Sequence, residues 1–572
     1  MMAMDPYDQT RHNVKRVRKR YFVIGLSSIV LVLVVVCLAV GIHKNSGSGK
    51  GGSSKGGVNL LQATCQQTDF PQECVSSLSS STPDNATPND LAASAVRVAQ
   101  QQIQSLMNKT EEYLNSGVNA TTKAALVDCV DNLDGALDQL NLTIASIDIK
   151  SLLSKASSVD DLLTSLSSAL TFHDTCIDGF EGISGTVSDK LHVEGGYAHK
   201  ILSNALAVAT IFFSQLPSLP HSIPVRRLLE ETPQALDGDD SIPEWVSAAQ
   251  RRLLQQKKNF TPNVVVAKNG NGDFKKIQDA IDAAPLKSSK TFVIYVRAGV
   301  YSESVVIPKK ALNIMLVGDG IGRTIITGNK NVQQSGVTTF NSATVIVSGK
   351  GFFARDLTIR NTAGPENHQA VALRVSADQV VFYRCSLEAF QDTLYAHTLR
   401  QFYRDCLIMG TVDFVFGNGA AVIQNCTVLA RVGIPGQQVT FTAQGRVDKR
   451  QTTGLSFISC KIDATPELRN EIAQHPSYLG RPWKLYSRTV FMKSFISDII
   501  EPRGWLEWNG DFALSTLFYG EYKNTGPGSD RSKRVQWSTG ITDKKVASKF
   551  TVKSFINGNS WVPQSVPFAA GL

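Results

Sequence analysis

The stretch GTVDFVFGNG, residues 410–419, places one carboxylate, Asp413, among apolar side chains. A buried, unpaired carboxylate is costly unless a partner offsets its charge. Regularly spaced polar residues precede it, because Gln369 lies 22 residues before Gln391 and Gln391 lies 22 residues before Asp413. Asp392 precedes Asp413 by 21 residues. This spacing predicts one polar site.

The residue types suit attack on an ester carbonyl. Two neighbouring carboxylates seldom ionise together, so they divide their roles. We expect Asp413 to be the ionised nucleophile, and Asp392 to hold a proton as general acid and then act as base. The amides of Gln369 and Gln391 are neutral donors suited to a developing oxyanion. Any one of these residues could be structural, and their shared spacing favours chemistry.

The motif LGRPW, farther along the chain, supplies a cation in Arg481 and an aromatic ring in Trp483. We expect Arg481 to lie against Asp413 and to hold it ionised. Trp483 offers a flat apolar face to a sugar ring.

These residues must be positioned by the repeats in residues 260–572. Short β-branched runs broken by Gly, Asn and Asp predict an all-β fold. One local motif recurs at Asp356, Cys385, Cys406, Cys426 and Cys460. A base period of about 20 residues with insertions predicts a parallel β-solenoid, whereas a propeller blade needs about twice that period. Residues one turn apart then stack about 4.8 Å apart, which predicts a single column of Gln369, Gln391 and Asp413.

The N-terminal half has a different pattern. Segments such as LVDCVDNLDGALDQL repeat apolar residues at spacings of three and four, which predicts an α-helical up-down bundle over residues 60–215. A Gly/Ser linker, residues 43–59, precedes it. Residues 216–259 form a second linker, whose RRLL sequences at 226–229 and 251–254 predict cleavage by a processing protease.

Residues 21–42 carry no charge and are about long enough to span a bilayer. The basic tail, residues 1–20, predicts a cytosolic N-terminus by the positive-inside rule. We therefore expect a signal-anchor, with a membrane-anchored precursor in the secretory pathway and a mature protein outside the cell.

The cysteines agree with export. Cys37 lies within the apolar run, and the other eight favour disulfides in an oxidising compartment. In the bundle we expect Cys65 to pair with Cys74, and Cys129 with Cys176. No CxxC pair exists, so no metal site is expected. Sequons that predict glycosylation occur at Asn85, Asn108, Asn119, Asn141 and Asn425.

Charge divides the chain. Residues 255–572 contain 38 Lys and Arg against 23 Asp and Glu, a net +15, and the other 254 residues contain 20 against 26, a net −6. A basic half favours an anionic partner. Because no nucleic-acid motif is present, an acidic polysaccharide is favoured over nucleic acid. We expect the acidic half to shield the basic half until the linker is cut near 251–254.

The motifs HQAVALRV, QDTLY, GTVDFVFGNG and LGRPW, in this order, closely resemble those of plant pectinesterases (pectin methylesterases) over about 260–570. Residues 60–215 resemble the pectinesterase-inhibitor domain of the longer family members. The resemblance implies a right-handed parallel β-helix that hydrolyses the methyl esters of galacturonate in pectin, as a monomer without metal or cofactor. It also implies proteinaceous pectinesterase inhibitors as partners, and the cell wall as location.

The resemblance assigns roles to the site residues. It implies that Asp413 is the nucleophile, Asp392 the acid/base, Gln369 and Gln391 the oxyanion stabilisers, Arg481 the group that orients Asp413, and Trp483 a substrate contact. It further implies a disulfide between Cys426 and Cys460, and we expect a second between Cys385 and Cys406, on adjacent turns.

Three alternatives remain open. A pectin-active glycosidase could use two carboxylates one solenoid turn apart, near the ~5–5.5 Å of retaining enzymes. A lyase would need calcium, for which no cluster of acidic ligands is evident. An inhibitor or wall-binding module would have a degraded site. The paired glutamines favour the esterase, since an oxocarbenium-like transition state needs no oxyanion hole.

Overall fold

The computed structural model describes residues 60–83, 85–147, 157–214 and 260–572. The predicted tail, membrane segment and both linkers, with their RRLL sites, lie outside these residues and stay predictions. No helix in the described ranges is both long and apolar enough to cross a membrane.

The N-terminal half is the predicted helical bundle. Its described helices are α1 (Leu60–Cys65), α2 (Pro71–Leu78), α3 (Pro88–Leu114), α4 (Ala120–Ser146), α5 (Ser157–Asp178) and α6 (Thr186–Ser214). A capping box fixes the start of α3, where Thr87 and Asp90 exchange hydrogen bonds with each other's backbone N–H. Leu126, Leu133 and Leu140 of α4 are fully buried at the predicted spacing.

Two disulfides tie the bundle together. Cys65 is bonded to Cys74 between α1 and α2, and Cys129 is bonded to Cys176 between α4 and α5. Both predicted pairs are confirmed. Because they close loops in the unfolded chain, they stabilise a bundle of modest size.

The C-terminal half is a parallel β-helix, as predicted. Every paired strand in the three large sheets runs parallel to its neighbour. The first sheet contains β1 (Val264–Val266), β2 (Phe292–Val296), β5 (Ile314–Val317), β8 (Phe353–Arg355), β11 (Val380–Tyr383), β14 (Arg400–Arg404), β17 (Ala420–Gln424), β21 (Gly454–Ile458), β24 (Arg488–Met492), β26 (Phe518–Tyr522) and β27 (Thr539–Gly540). The second contains β3 (Gly299–Ser302), β6 (Thr324–Gly328), β9 (Thr358–Asn361), β12 (Ser386–Glu388), β15 (Leu407–Gly410), β18 (Thr427–Ala430), β22 (Lys461–Ala464) and β25 (Phe495–Ile496).

The third sheet carries the site. Its strands are β4 (Val305–Ile307), β7 (Val345–Val347), β10 (Leu373–Val375), β13 (Leu394–Ala396), β16 (Val415–Gly417) and β20 (Thr442–Gln444). A separate parallel pair, β19 (Val439–Thr440) and β23 (Ser477–Tyr478), lies in the long bends that follow. The short helices of this half are α7 (Ile277–Asp282), α8 (Pro466–Asn470), α9 (Lys544–Ser548) and α10 (Val552–Ile556).

Alternate side chains of the coils fill the interior of the β-helix. Val345, Leu373, Leu394 and Val415 stack there without solvent contact. This core is separate from the apolar core of the bundle, although Val447 of the β-helix packs against the latter. The β-helix therefore has the core of an independent folding unit.

The four cysteines of the β-helix are free thiols, so the predicted bonds Cys385–Cys406 and Cys426–Cys460 are wrong for this structure. The ladder Ser386↔Leu407 and Thr427↔Lys461 places each cysteine directly over the next. In-register parallel strands keep the Cα–Cβ bonds parallel and about 4.8 Å apart, whereas a disulfide needs Cβ atoms nearer than about 4.5 Å. The backbone N–H of each of Cys385 and Cys406 instead donates to the sulfur above.

Candidate active site

The catalytic candidates occupy the bends that lead into β10, β13 and β16. The ladder pairs Leu373 with Leu394 and Leu394 with Val415, so the two coils between these strands have the same length. Asp392 and Asp413 each precede their strand by two residues, so they share one level of successive coils.

The predicted single column needs a correction. A hydrogen bond of 3.3 Å from Ala370 N to Gln391 O keeps the two glutamine-bearing bends side by side. The separation of Gln391 from Asp413 exceeds the length of a coil by one residue, so Asp413 lies over Asp392 and not over Gln391. The site therefore consists of a pair of amides beside a pair of acids. The separation of the two glutamines is also one residue longer than a coil. The period inferred from their spacing was therefore one residue too long.

Both aspartates have left-handed backbones, with φ of 65° at Asp392 and 49° at Asp413. Non-glycine residues seldom adopt this conformation, and it concentrates at functional sites. Thr440 holds Asp413 in place, since it accepts a hydrogen bond from the backbone N–H (2.8 Å) and its hydroxyl donates to the carboxylate (2.6 Å). Thr440 is a site residue that the sequence interpretation missed.

Arg481 forms the predicted contact with Asp413. Its Nε lies 2.9 Å from Oδ1 and its Nη2 lies 2.6 Å from Oδ2, a two-pronged ion pair that stabilises the anionic carboxylate. Gly480 allows this approach, because a Cβ there would collide with Thr442. The ring of the exposed Trp508 lies 4.4 Å from the Arg481 guanidinium, a cation–π contact that the sequence did not reveal.

Asp392 has a different environment. Its side chain is buried, and burial followed by the neighbouring charge of Asp413 raises its pKa well above the ordinary value, although Arg481 acts in the opposite sense. Burial and the neighbouring Asp413 thus favour the protonated form of Asp392, while Asp413 forms the ion pair with Arg481. The two acids therefore lie in different environments, and their separate catalytic roles stay a prediction.

Gln369 and Gln391 are partly exposed at the bends before β10 and β13. Their side-chain amides form no hydrogen bond with another group in the parts of the chain that the structure describes. Both amides are thus free to donate to a bound ligand. The structure brings them to the same corner of the β-helix as the acids.

Aromatic rings form the floor beside the acids. Tyr395 and Phe416 stack with ring centroids 4.2 Å apart on the outer face of β13 and β16, and Trp483 lies 6.0 Å from Phe416. Phe340 packs edge-on against Tyr395. Such a floor suits the apolar faces of sugar rings.

The bundle covers one side of this floor. The hydroxyl of Thr175 lies 2.8 Å from His397 Nε2, and Asn418 donates to Thr171 over 2.8 Å. A cavity of about 10 Å³, room for one water, remains between these groups and Trp483. A ligand on this part of the floor would therefore compete with the bundle for the surface.

Ion pairs fasten the bundle to the β-helix, and in each the acid belongs to the bundle. They are Asp69 with Lys449 and Arg450 (both 2.6 Å), Asp134 and Asp138 with Lys309 (2.6 and 3.6 Å), Asp161 with Arg400 (2.7 Å) and Asp178 with Lys484 (2.6 Å). Burial disfavours the charge of Lys484, but the carboxylate of Asp178 more than offsets this and raises the lysine pKa. The acidic N-terminal half and the basic C-terminal half of the sequence thus meet through ion pairs at the interface.

Within the bundle, Asp174 joins two imidazoles. Its Oδ1 lies 3.1 Å from His173 Nδ1 and 2.9 Å from His199 Nδ1. These three residues form the one group of metal-ligating side chains that the described ranges bring together. Both contacts have the length of hydrogen bonds.

The predicted glycosylation sites are all exposed, at Asn85, Asn108, Asn119, Asn141 and Asn425. The side chain of Asn119 caps α4 by accepting from Thr122 N (2.8 Å). Glycosylation at these positions stays a prediction.

Comparison with known proteins identifies two families. A pectinesterase family model matches residues 263–559, and a plant invertase/pectin methylesterase inhibitor model matches residues 59–208. The chain is 41% identical to pectinesterase 3 of Citrus sinensis over 99% of its length and 97% of the relative's. It is 42% identical to pectinesterase/pectinesterase inhibitor U1 of Solanum lycopersicum, over 98% of this chain and 97% of that one. The solved pectin methylesterase from carrot is 52% identical and superposes with a TM-score of 0.54, covering 55% of this chain and 100% of its own.

Proposed function

The chain belongs to the pectinesterase family and is a hydrolase of methyl-esterified pectin with an inhibitor-like domain, and we propose that Asp413 is the nucleophile of its reaction. The observation that carries this proposal is the pairing of Asp413 with Arg481 beside the buried Asp392, whose pKa is raised by burial and by the charge of Asp413. The alternative considered from the sequence, a glycosidase on the same fold, is not favoured because the chain belongs to the pectinesterase family.

In the first half-reaction the Asp413 carboxylate attacks the ester carbonyl carbon. The carbonyl oxygen becomes an oxyanion, to which the amides of Gln369 and Gln391 donate. As the intermediate collapses, the bond to the methoxy group breaks and Asp392 gives its proton to the departing oxygen. Methanol leaves, and an acyl–Asp413 anhydride remains.

In the second half-reaction Asp392, now ionised, takes a proton from water. The hydroxide attacks the anhydride carbonyl, and the same amides hold the second oxyanion. Collapse releases the galacturonate unit as its carboxylic acid, which then gives its proton to solvent; the Asp413 carboxylate is restored and Asp392 stays protonated. Arg481 holds Asp413 in the attacking orientation throughout, while Trp483 supports the sugar.

Methanol release by Asp413→Ala tests the assignment. We expect a loss of at least about 10³-fold, the size of effect seen when a nucleophile is removed. Asp405→Ala is a matched control, since Asp405 also has a left-handed backbone (φ 53°) and an arginine partner, Arg404, at a corner away from β13 and β16. Turnover by Asp413→Ala near the control's rate would remove Asp413 from the mechanism.

We also propose that the bundle restrains the enzyme until the linker, residues 216–259, is cut. Support comes from the contacts of Thr171 and Thr175 over the aromatic floor and from the one-sided ion pairs. The cell wall, where pectin occurs, is the proposed site of action, and anchoring through residues 21–42 remains a prediction. Comparing methanol release by residues 260–572 with that of the uncut chain tests the restraint, and equal rates would contradict it.

A further inference from the structure

The two acids of the site belong to a column whose next member is a threonine. The ladders that join β13 to β16 and β16 to β20 place the residues two positions before these strands on one level of successive coils. These residues are Asp392, Asp413 and Thr440. Asp413 therefore lies between a second acid on one coil and a hydroxyl group on the other. Asp413 and Thr440 are both buried, with 5% and 0% exposed, so solvent does not screen the contact between them.

Thr440 holds the bend that carries Asp413 from both sides. Its backbone N–H donates to Thr411 O (3.1 Å), and its carbonyl oxygen accepts from Phe414 N (3.3 Å). Its hydroxyl oxygen accepts from Asp413 N (2.8 Å), while the hydroxyl proton is donated to Asp413 Oδ1 (2.6 Å). These contacts lie before, at and after Asp413, so they fix the left-handed backbone from which its carboxylate projects.

The same segment also positions Arg481. Phe441 lies in the interior of the β-helix, so its neighbours Thr440 and Thr442 point to the outside, as alternation along an extended chain requires. The Thr442 hydroxyl donates to Leu479 O (2.9 Å), and Thr442 O accepts from Arg481 N (2.9 Å). Two threonines, two residues apart, thus hold the two partners of the ion pair between Asp413 and Arg481.

The two oxygens of the Asp413 carboxylate are not equally occupied. An ionised carboxylate has about four lone-pair positions, two on each oxygen. Oδ1 accepts from the Thr440 hydroxyl (2.6 Å) and from Arg481 Nε (2.9 Å), which uses both of its positions. Oδ2 accepts from Arg481 Nη2 (2.6 Å), and Nε, whose single proton lies nearer to Oδ1, is 3.2 Å away. No other group in the described residues donates to Oδ2, so one of its lone pairs stays open.

A nucleophile reacts through a lone pair that is directed at the carbon under attack. We propose that Thr440 is a positioning residue, which together with Arg481 fixes Oδ1 of Asp413 and leaves Oδ2 as the atom that attacks the ester. The new bond forms between Oδ2 and the carbonyl carbon, and the carbonyl π electrons move to the oxygen that Gln369 and Gln391 stabilise. Oδ1 becomes the carbonyl oxygen of the anhydride, and it keeps the hydrogen bond from Thr440 through both half-reactions.

This inference rests on the proposed role of Asp413 and adds the reacting atom and the residue that selects it. The first experiment compares variants of residues 260–572, whose core is separate from that of the bundle. Thr440→Val keeps the shape of the side chain without its hydroxyl, whereas Thr440→Ser keeps the hydroxyl.

The substrate is a methylated oligogalacturonate. We expect the kcat of Thr440→Val to fall about 10- to 100-fold, the effect of one lost hydrogen bond to a charged group. KM should stay within about twofold, because the hydroxyl acts through Asp413 on the reaction and not on the sugar. Thr440→Ser should keep its kcat within about threefold of the wild type, since it retains the donor.

Thr344→Val is the matched control. Thr344 is also buried, with 1% exposed, and its hydroxyl donates to the backbone oxygen of Arg360 over 3.0 Å. It directly precedes β7, which is two strands from β13 in the third sheet. Both valine variants should unfold at a lower urea concentration than the wild type. Only Thr440→Val should lose more than about twofold in kcat, because only its hydroxyl contacts a catalytic acid.

The second experiment tests the attacking atom directly. It is a crystal structure of residues 260–572 with Asp392→Asn and a bound methylated oligogalacturonate, in which the ester persists because the departing methoxide lacks its proton donor. We expect the ester carbonyl carbon about 3–3.5 Å from Oδ2 of Asp413 and farther from Oδ1. This measurement needs no variant of Thr440, so it decides the inference even if Thr440→Val does not fold.

Three results would overturn the inference: a carbonyl carbon nearer to Oδ1, a wild-type kcat in folded Thr440→Val, or equal losses in Thr440→Val and Thr440→Ser. In each of them the wild type still releases methanol. Failure of the esterase function would look different, since wild-type residues 260–572 would then release none. Failure of Asp413 as nucleophile would appear as nearly normal turnover by Asp413→Ala.

Discussion

Neutralising the acids that fasten the bundle should release activity from the uncut chain. The perturbation is the triple variant Asp69→Asn, Asp134→Asn and Asp161→Asn, which removes ion pairs of 2.6–2.7 Å to the β-helix. The side chains of Asp134 and Asp161 are about half exposed (56% and 50%), so solvent screens them and each pair contributes only about 0.5 kcal/mol. The variant removes four ion pairs, because Asp69 contacts both Lys449 and Arg450. Taking about 0.5 kcal/mol for each of the three acids gives about 1.5 kcal/mol, or roughly tenfold in the equilibrium between docked and undocked bundle.

The assay is methanol release by the uncut triple variant, relative to residues 260–572. We expect a rise of up to about tenfold over the uncut wild type, limited by the rate of residues 260–572. Salt should act in the same direction, since the Debye length falls from about 10 Å at 0.1 M to about 3 Å at 1 M.

A charge-matched control separates docking from net charge. It is Glu111→Gln, Glu112→Gln and Asp189→Asn, three exposed acids of the bundle that form no ion pair in the described residues. This control should stay as slow as the uncut wild type. The reasoning would be refuted if both triple variants had the same activity, or if the uncut chain were already as fast as residues 260–572.

Other expectations follow from single groups. Methanol release by residues 260–572 should fall as pH rises through the raised pKa of Asp392, because the departing methoxide needs its proton; a pH–rate profile flat on the alkaline side would contradict this. Burial lowers the pKa of His199, but the charge of Asp174 outweighs it, so the folded pKa lies above 6.5. The bundle should then be most stable below pH 6.5 and lose this contribution as pH rises through the folded value, a slope in Tm that His199→Gln should remove. Gly410→Ala should destabilise the β-helix by roughly 1–3 kcal/mol in urea unfolding, since its Cβ would collide with Phe414. A thiol reagent should label Cys385, Cys406, Cys426 and Cys460 after denaturation but not before; two or four missing thiols would show that disulfides form after all.

The periodic part of the chain was the predictable part. A short repeat identified a parallel solenoid, and the nearly equal spacings of the polar residues brought Asp392, Asp413 and the two glutamines together. The spacing could not decide which residue stacks on which, because a period that is wrong by one residue shifts every member of a column to its neighbour. Asp413 therefore stacks on Asp392, whereas the glutamine spacing predicted that it stacks on Gln391.

Residues outside the period were missed. Thr440 lies at the level of the acids on the next coil, but the turn that leads to it is longer than the two before it, so the short period did not place it. No repeat includes Trp508. The cysteines show what a regular spacing does not predict. Their regular spacing correctly placed Cys385 over Cys406, but the spacing of Cα atoms does not give the direction of the Cβ atoms.

The number of residues in each turn of the β-helix also indicates where the sequence can accept insertions. From β10 to β16 the turns have equal length, whereas the next turn of the same sheet, from Val415 to Thr442, is longer. The turn of the neighbouring sheet from Thr427 to Lys461 is longer still. The additional residues loop away from the stack, so the rise from one turn to the next stays the same. Insertions there can reshape the rim of the groove without altering the distance between Asp392 and Asp413. Related chains should accordingly differ most in the length of these excursions and least in the number of residues that separate the two acids.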